Sequence, residues 1–328
     1  MKEHERILQV INLTTSFKTE RGKMNAVQGV SFDVNKGEIL GVVGESGCGK
    51  SVTSQSILRL YDEKYLVEYQ GEILFDGVDL LKIPEKEMQN RRGKDISMVF
   101  QDALSSLNPV FTVGDQIMEP LMNHQHMKKA EAQNRAIEML RLVGIPAPEK
   151  RAGQYPHELS GGMRQRVMIA IALSCNPRLL IADEPTTALD VTIQAQIMDL
   201  IVELNEKLHM GVILITHDLA VVAEICKRVI VMYLGQTVEE ADVNDIFDHP
   251  MHPYTNGLID SIPLLEGSGE KRLHTISGMV PLLNQIPNGC RFAPRCPYAK
   301  ERCHQEMPEL INVDERHKVR CFYPIGLE

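Results

Sequence analysis

The amino-acid sequence predicts an α/β protein with a parallel sheet, and two observations support this fold class. Short apolar segments typical of buried strands, such as residues 38–43, 179–182 and 211–216, alternate with segments of helical periodicity, the order expected of a parallel sheet. A glycine-rich loop also directly follows the strand predicted at 38–43 and precedes a helical pattern. Such loops bind phosphate at the ends of parallel strands.

The individual elements follow from local patterns of apolar residues, glycine and proline. We predict strands at residues 8–13, 27–34, 38–43, 71–75, 96–100, 179–182, 211–216, 229–233 and 236–238. We predict helices at residues 51–60, 163–174, 193–208 and 254–261, a helix that ends at residue 226, and helical periodicity over 113–145 that ends at Pro146. The stretch 101–165 therefore interrupts the alternation as an inserted, mostly helical piece.

Length and composition limit the class of protein. The 328 residues suggest about two domains, and 35 basic against 44 acidic residues give a net charge of −9. This balance argues against a nucleic-acid partner, although backbone N–H groups can still bind a phosphate. The charged residues 1–9 do not resemble a signal peptide, and no apolar run is long enough for a membrane span. We therefore expect a soluble cytoplasmic chain.

Residues 44–51, Gly-Glu-Ser-Gly-Cys-Gly-Lys-Ser, match the phosphate-loop pattern G-x4-G-K-[ST]. Glycines let the backbone turn tightly, so that successive N–H groups face one anion at the start of the next helix. Lys50 then neutralises the outer phosphates, and the Ser51 hydroxyl coordinates Mg²⁺.

Polar side chains follow three other predicted strands. Asp183 and Glu184 end the strand at 179–182, His217 follows the strand at 211–216, and Gln101 follows the strand at 96–100. Because the carboxyl ends of parallel strands share one edge of the sheet, Asp183 can hold Mg²⁺ and Glu184 can polarise the attacking water. Gln101 can reach the metal or that water, and a neutral His217 can bond a γ-phosphate.

Residues 159–163, Leu-Ser-Gly-Gly-Met, form a second small-residue turn that opens a helix. One nucleotide does not need two such cradles within one chain, which suggests that this one serves a nucleotide on another subunit. Together with Asp190, these residues resemble the ABC ATPase family, whose signature is usually written LSGGQ. Met163 replaces the final Gln, whereas Ser160 and Gly162 are intact.

The resemblance covers residues 1 to about 265 and implies a phosphate-loop ABC ATPase. Such a protein has a RecA-like core, an antiparallel β subdomain and an inserted α-helical subdomain, here at about 101–165. It implies a head-to-tail dimer in which ATP lies between the phosphate loop of one subunit and Ser160, Gly161, Gly162 and Met163 of the other, with Asp190 at the dimer contact.

The resemblance also implies roles for single residues. Glu184 is the general base, His217 contacts the γ-phosphate, and Gln101 links Mg²⁺ to the membrane partner. The implied ATP-binding residues are Phe17, Gly44, Glu45, Ser46, Gly47, Cys48, Gly49, Lys50, Ser51 and Val52, and the implied Mg²⁺ ligands are Ser51, Gln101 and Asp183.

Three further segments narrow the resemblance. Residues 100–109, 155–160 and 252–255, taken with the cysteine-rich tail, are similar to the ATP-binding subunits of bacterial oligopeptide and dipeptide importers. The resemblance implies a second ABC ATPase subunit (a sister chain or a second copy), two membrane-spanning permease subunits and, indirectly, an extracytoplasmic peptide-binding protein. Residues 102–109 are the candidate permease contact. The resemblance also places the chain at the cytoplasmic face of the inner membrane as a peripheral subunit.

Four of the seven cysteines lie in the last 39 residues, at 290, 296, 303 and 321. The proline-rich tail has little apolar content and needs a staple, and disulfides are disfavoured in a reducing cytoplasm. Zinc usually shows closer cysteine pairs, and four thiolates also suit a [4Fe–4S] cluster. Zinc and unligated thiols stay open, while the importer resemblance implies the iron–sulfur cluster. Its role is either structural or that of a redox or iron-status switch.

These expectations divide the chain into an ABC nucleotide-binding domain at 1–265 and a small cysteine-rich, metal-binding extension at 266–328, joined at residues 267–269. Other interpretations remain beside peptide import. One is an importer ATPase for another small solute, such as nickel chelates. The others are an iron–sulfur sensor that uses ATP, or a soluble regulatory ABC ATPase.

Overall fold

The structure is a computed structural model, and it describes residues 5–20, 22–187, 189–262, 275–314 and 316–327, without the side chains of residues 103 and 104. The predicted joint at 267–269 and the predicted domain boundary at 265 lie outside these residues. The chain divides into two compact units. Unit 1 comprises Met1–Ile7, Val34–Glu38 and Lys82–Leu214, and unit 2 comprises Leu8–Asp33, Ile39–Leu81 and Ile215–Glu328.

The secondary structure agrees with the predicted alternation of strands and helices. The strands are β1 (Arg6–Thr19), β2 (Gly22–Asn35), β3 (Ile39–Val43), β4 (Val67–Phe75), β5 (Val78–Asp79), β6 (Ile96–Val99), β7 (Leu179–Asp183), β8 (Gly211–Ile215), β9 (Arg228–Tyr233), β10 (Gln236–Asp242), β11 (Ile311–Asn312) and β12 (Lys318–Val319). The helices are α1 (Lys50–Ile57), α2 (Glu85–Arg91), α3 (Ala103–Ser106), α4 (Val113–Gln125), α5 (Lys129–Leu142), α6 (Pro148–Arg151), α7 (Gly161–Leu173), α8 (Val191–Leu208), α9 (Leu219–Ile225), α10 (Val243–Asp248), α11 (Pro253–Asp260) and α12 (Glu301–Gln305).

Unit 1 contains the inserted helical piece and a short parallel sheet. β6 pairs in parallel with β7, and β8 lies on the other side of β7. All residues of β6, β7 and β8 are buried, which fits their mainly apolar sequences. Within the described residues of 101–165, all regular structure is helical. The helical pattern predicted over 113–145 is two helices, because His126 has a left-handed φ of 54° at the end of α4.

Unit 2 contains an antiparallel sheet and a mixed one. The first has the order β2-β1-β4-β5, with β1 and β4 antiparallel. In the second, β3 and β9 are parallel, and β9, β10 and β12 continue it in antiparallel fashion. Through β12, the cysteine-rich tail joins the same sheet as β3, the strand that precedes the phosphate loop. No described helix is both long and apolar enough to cross a membrane.

Candidate functional site

The phosphate loop lies in unit 2 between the buried strand β3 and helix α1. Three of its glycines have positive φ, 147° at Gly44, 78° at Gly47 and 99° at Gly49. A Cβ at Gly49 would lie 2.9 Å from the Ala26 carbonyl oxygen, and one at Gly44 would lie 2.3 Å from the Met232 carbonyl oxygen. The loop therefore needs glycine both for its backbone angles and for its close packing.

Lys50 crosses the inside of this loop. Its ammonium group donates to the carbonyl oxygens of Gly44 at 2.7 Å and Glu45 at 3.2 Å, and the residue is buried. The lysine charge is thus held inside the turn formed by the loop backbone, next to the N-terminus of α1. This arrangement of one cation and a helix start suits a polyphosphate.

Glu45, the second residue of the loop, has two partners that the sequence analysis did not identify. Its N–H donates to the Tyr254 hydroxyl at 2.8 Å. Its carboxylate accepts two hydrogen bonds from the Arg295 guanidinium, at 2.6 and 2.9 Å. Both partners come from sequence more than 200 residues away, so no local pattern could predict them.

Two further predicted site residues lie in unit 2. Phe17 is half-buried on β1 and makes an edge contact with the ring of Tyr61, with 5.1 Å between ring centroids. Tyr61 had not been identified from the sequence. His217 is exposed directly after β8, and the next residue, Asp218, caps α9 by accepting from the N–H groups of Ala220 and Val221.

Unit 1 brings Gln101 and Glu184 together. The Gln101 amide donates to the Glu184 carboxylate at 2.9 Å, and the Thr187 hydroxyl donates to the same oxygen at 3.1 Å. Glu184 has a left-handed φ of 46°, which is uncommon for a residue with a side chain and is frequent at functional sites. Asp183, at the end of β7, is buried. The sequence predicts that these three residues lie at one edge of the sheet. Within unit 1, Gln101 and Glu184 are in contact at that edge.

The signature residues begin helix α7. The Ser160 hydroxyl accepts from the Met163 N–H at 3.4 Å as the N-cap. Gly162 packs so closely against α8 that a Cβ there would lie 2.8 Å from Cγ2 of Ile193. Asp190 caps α8 through a 3.0 Å bond from the Ile193 N–H. Serine, glycine and aspartate at these positions therefore each have a structural role within unit 1.

The predicted permease contact at 102–109 contains the short helix α3, and it is followed by two strongly exposed apolar side chains. Val110 is 71% exposed and Phe111 is 52% exposed. Isolated exposed apolar residues are ordinary, but two large ones side by side on a loop mark this segment as suited to a protein partner.

The four cysteines of the tail converge. Cys290, Cys296, Cys303 and Cys321 line one cavity with His252 and Phe292. Burial raises the pKa of the Cys290 and Cys296 thiols, and it raises the pKa of Cys321 to about 11, with the neighbouring thiols acting in the same direction. In the described part of the chain no group of three or more His, Cys, Asp or Glu side chains is arranged to hold a metal ion. A metal site in the extension therefore stays a prediction.

The arginines near these cysteines do not all face the thiols. Arg291 donates to the Leu234 carbonyl and the Gln28 amide oxygen, and Arg295 binds Glu45. Arg320 donates to the Thr237 and Pro308 carbonyls. Arg291, Arg295 and Arg320 thus fasten the tail to other parts of unit 2.

Comparisons with known proteins find two matching family profiles and several similar full-length proteins. The profile of the ABC transporter family matches residues 27–187, and that of the oligopeptide/dipeptide transporter C-terminal region matches residues 238–303. The oligopeptide transport ATP-binding protein OppD of Bacillus subtilis is 54% identical over 96% of this chain and 88% of its own. The dipeptide transport ATP-binding protein DppD of Haemophilus influenzae is 50% identical over 98% of this chain and 96% of its own.

Solved structures show the same likeness. A dimeric bacterial ABC transporter cassette is 31% identical with a TM-score of 0.64, over 72% of this chain and 98% of its own. A dimeric ATP-binding cassette in a post-hydrolysis state with ADP and phosphate has a TM-score of 0.65 over the same shares. The α/β fold expected from the sequence is thereby confirmed as that of an ABC ATPase cassette.

Proposed function

We propose that this chain, which belongs to the ATP-binding proteins of the ABC transporter family and is an ATPase, powers the import of di- and oligopeptides through an inner-membrane ABC transporter. The observation that carries the proposal is the strong similarity to peptide-transport ATP-binding proteins along nearly the whole chain, including the C-terminal region specific to them. The phosphate loop around Lys50 supplies the matching chemistry.

ATP is the substrate, and water attacks its γ-phosphate to give ADP and inorganic phosphate. The proposed nucleotide contacts are the loop residues 44–52, with Lys50 on the phosphates, and Phe17 stacking its ring on adenine. Glu184 is the proposed general base, held by Gln101, and His217 is the proposed γ-phosphate ligand. Each role needs the side-chain chemistry that these residues have.

Mg²⁺ fits the oxygen donors among the proposed residues. The Ser51 hydroxyl, the Gln101 amide oxygen and the Asp183 carboxylate are hard ligands of the kind that Mg²⁺ prefers. When bound, Mg²⁺ offsets the charge that develops on the transferred phosphoryl group. Asp183 is buried at the end of β7. A bound cation would stabilise its negative charge in place of the water that burial excludes.

A second ATPase subunit, a sister chain or another copy, completes the proposed assembly. Its nucleotide would be contacted by Ser160, Gly161, Gly162 and Met163 of this chain, with Asp190 at the dimer contact. Two membrane-spanning permeases are the proposed partners of residues 102–109, and an extracytoplasmic peptide-binding protein delivers the solute. The chain then works as a peripheral subunit at the cytoplasmic face of the inner membrane, with no nucleic acid as partner.

We also propose that Cys290, Cys296, Cys303 and Cys321 hold a [4Fe–4S] cluster, with zinc as the second candidate. The convergence of four thiols on one cavity supports a soft metal. When bound, the cluster supplies a covalent cross-link among four segments of a tail that has few apolar residues.

Uptake by living cells tests the proposed function. Deletion of the gene should abolish uptake of a labelled tripeptide, and the wild-type gene should restore it. Glu184→Gln should not restore uptake, whereas the exposed-surface variant Glu203→Gln should. Loss of nickel-chelate uptake with normal peptide uptake would favour the alternative solute. Normal uptake of both, with metal-dependent binding of a soluble partner, would favour the sensor or regulatory interpretation.

A further inference from the structure

The C-terminal part of unit 2 holds the phosphate loop at Glu45. Its N–H, its carboxylate and its carbonyl oxygen all have partners, which are Tyr254, Arg295 and Lys50 in that order. Two of these partners, Tyr254 and Arg295, follow the parallel strands in sequence. The shape of the loop's first half therefore depends on residues that are not part of the phosphate-loop motif.

Arg295 is itself rigidly placed. Its side chain is 4% exposed, against 29% for Glu45. Beside the two bonds to the carboxylate, its guanidinium donates to the Ser277 carbonyl at 3.0 Å and to the Tyr233 hydroxyl at 3.4 Å. A buried, two-pronged arginine–carboxylate pair is strong and directional. Loss of the arginine would leave the carboxylate without its cation.

Tyr254 reaches the loop from the opposite end of the C-terminal segment. It is fully buried, and its ring packs on Tyr233 and Phe292 with centroid distances of 4.8 and 5.3 Å. Its hydroxyl accepts from the N–H of Glu45 at 2.8 Å. The aromatic cluster therefore holds the backbone of Glu45 in place, and Arg295 holds and neutralises its carboxylate.

The charge matters because Glu45 places a carboxylate in a loop that binds an anion. An unpaired carboxylate next to a triphosphate repels it, and in a partly buried setting this repulsion is only weakly screened. Resting on the proposed ATP-binding role of this loop, we propose that Arg295 is a positioning residue for nucleotide binding, which neutralises and orients Glu45 so that the loop accepts phosphate. The C-terminal region thereby becomes part of the nucleotide site.

Binding of MgATP to the purified full-length chain tests this role by titration calorimetry. Arg295→Gln should raise the Kd for MgATP about ten-fold, since it leaves the Glu45 carboxylate uncompensated. Adding Glu45→Gln to Arg295→Gln should recover most of that loss, because the repelling charge is gone. Arg316→Gln, which removes the arginine of a more exposed ion pair with Asp242 in the same region, is the matched control and should bind as the wild type does.

The double variant separates charge from scaffolding. If Arg295 acted only as a structural brace, the double variant would bind as weakly as Arg295→Gln, and that result would overturn the proposal. Arg295→Lys keeps the positive charge and should bind MgATP more tightly than Arg295→Gln; equal weakness would also overturn it. A wild-type chain that does not bind MgATP would refute the proposed function itself, whereas tight binding by both wild type and Arg295→Gln would refute only the role of Arg295.

Discussion

The amide of Gln101 donates a 2.9 Å hydrogen bond to the carboxylate of Glu184. The two residues are 83 positions apart in sequence and follow the adjacent strands β6 and β7. The bond and the strained backbone of Glu184 fix the carboxylate at one place at the end of the sheet. This arrangement suits a general base that must face a water molecule in one orientation.

Replacement of Glu184 by Gln should therefore abolish hydrolysis while MgATP still binds. The amide keeps the size of the side chain but cannot take a proton, and loss of a general base typically costs about 10² to 10⁴ in rate. Phosphate release in steady state measures hydrolysis, and calorimetry measures MgATP binding. Glu203→Gln on the exposed face of α8 is the control. Turnover within two-fold or so of the wild type would remove Glu184 from the role of base.

Gly162 offers a test of how much of the signature is structural. A Cβ at this residue would lie 2.8 Å from Cγ2 of Ile193, so Gly162→Ala should destabilise the fold by about 1–3 kcal/mol through overpacking. Adding Ile193→Ala removes the clashing atom and should restore part of the melting temperature. If the residue also contacts a nucleotide on a second subunit, the double variant should remain slow in ATP hydrolysis.

The outcome distinguishes the two roles of Gly162. Recovery of both stability and hydrolysis in the double variant would mean that glycine is needed there only for helix packing. Gly161→Ala is a useful comparison, because the nearest atom to its added Cβ, Cδ2 of Leu189, lies at 3.5 Å, an ordinary contact distance.

Most of the core and the motif residues could be predicted from the sequence because their signals are local. A glycine pattern between a strand and a helix is enough for the phosphate loop, and unbroken apolar runs are enough for β3, β7 and β8. The pair of Arg295 and Glu45 could not be predicted, since it joins residues 250 positions apart. Helix α2 was also missed, because only Met88 of its seven residues is buried and no apolar stripe is present.

Removal of one tail cysteine tests the proposed cluster. Anaerobically purified wild-type protein should be brown and contain about four irons per chain, and Cys296→Ser should lose most of the iron and the colour. Because Cys296 directly follows Arg295, the variant should also bind MgATP more weakly. Cys226→Ser, which alters a buried cysteine outside the tail, should keep its iron. A colourless wild-type protein with one zinc ion would establish the alternative metal.

The buried pair of His317 and Glu239 predicts a pH-dependent stability. The 2.7 Å hydrogen bond to Glu239 raises the pKa of His317 above its ordinary value of about 6.5, with Asp314 and Asp245 acting in the same direction. A raised folded-state pKa means that the stabilisation is complete below the unfolded value and is lost as pH rises through the folded value. The pair also lies where β12 joins β10, since Glu239 is paired with Val319.

We expect the melting temperature of the wild type to exceed that of His317→Gln most strongly near pH 5.5, and the difference should shrink as pH rises towards 9. The subtraction is needed because His252 acts in the opposite direction: burial lowers its pKa to about 4, so it destabilises the protein as pH falls below about 6.5. Both proteins contain His252, so the subtraction removes the part of its effect that does not depend on His317; the two histidines share Glu239, so the remainder stays in the difference. A difference in melting temperature that grows with pH would contradict the assignment of the charged form to the His317–Glu239 pair.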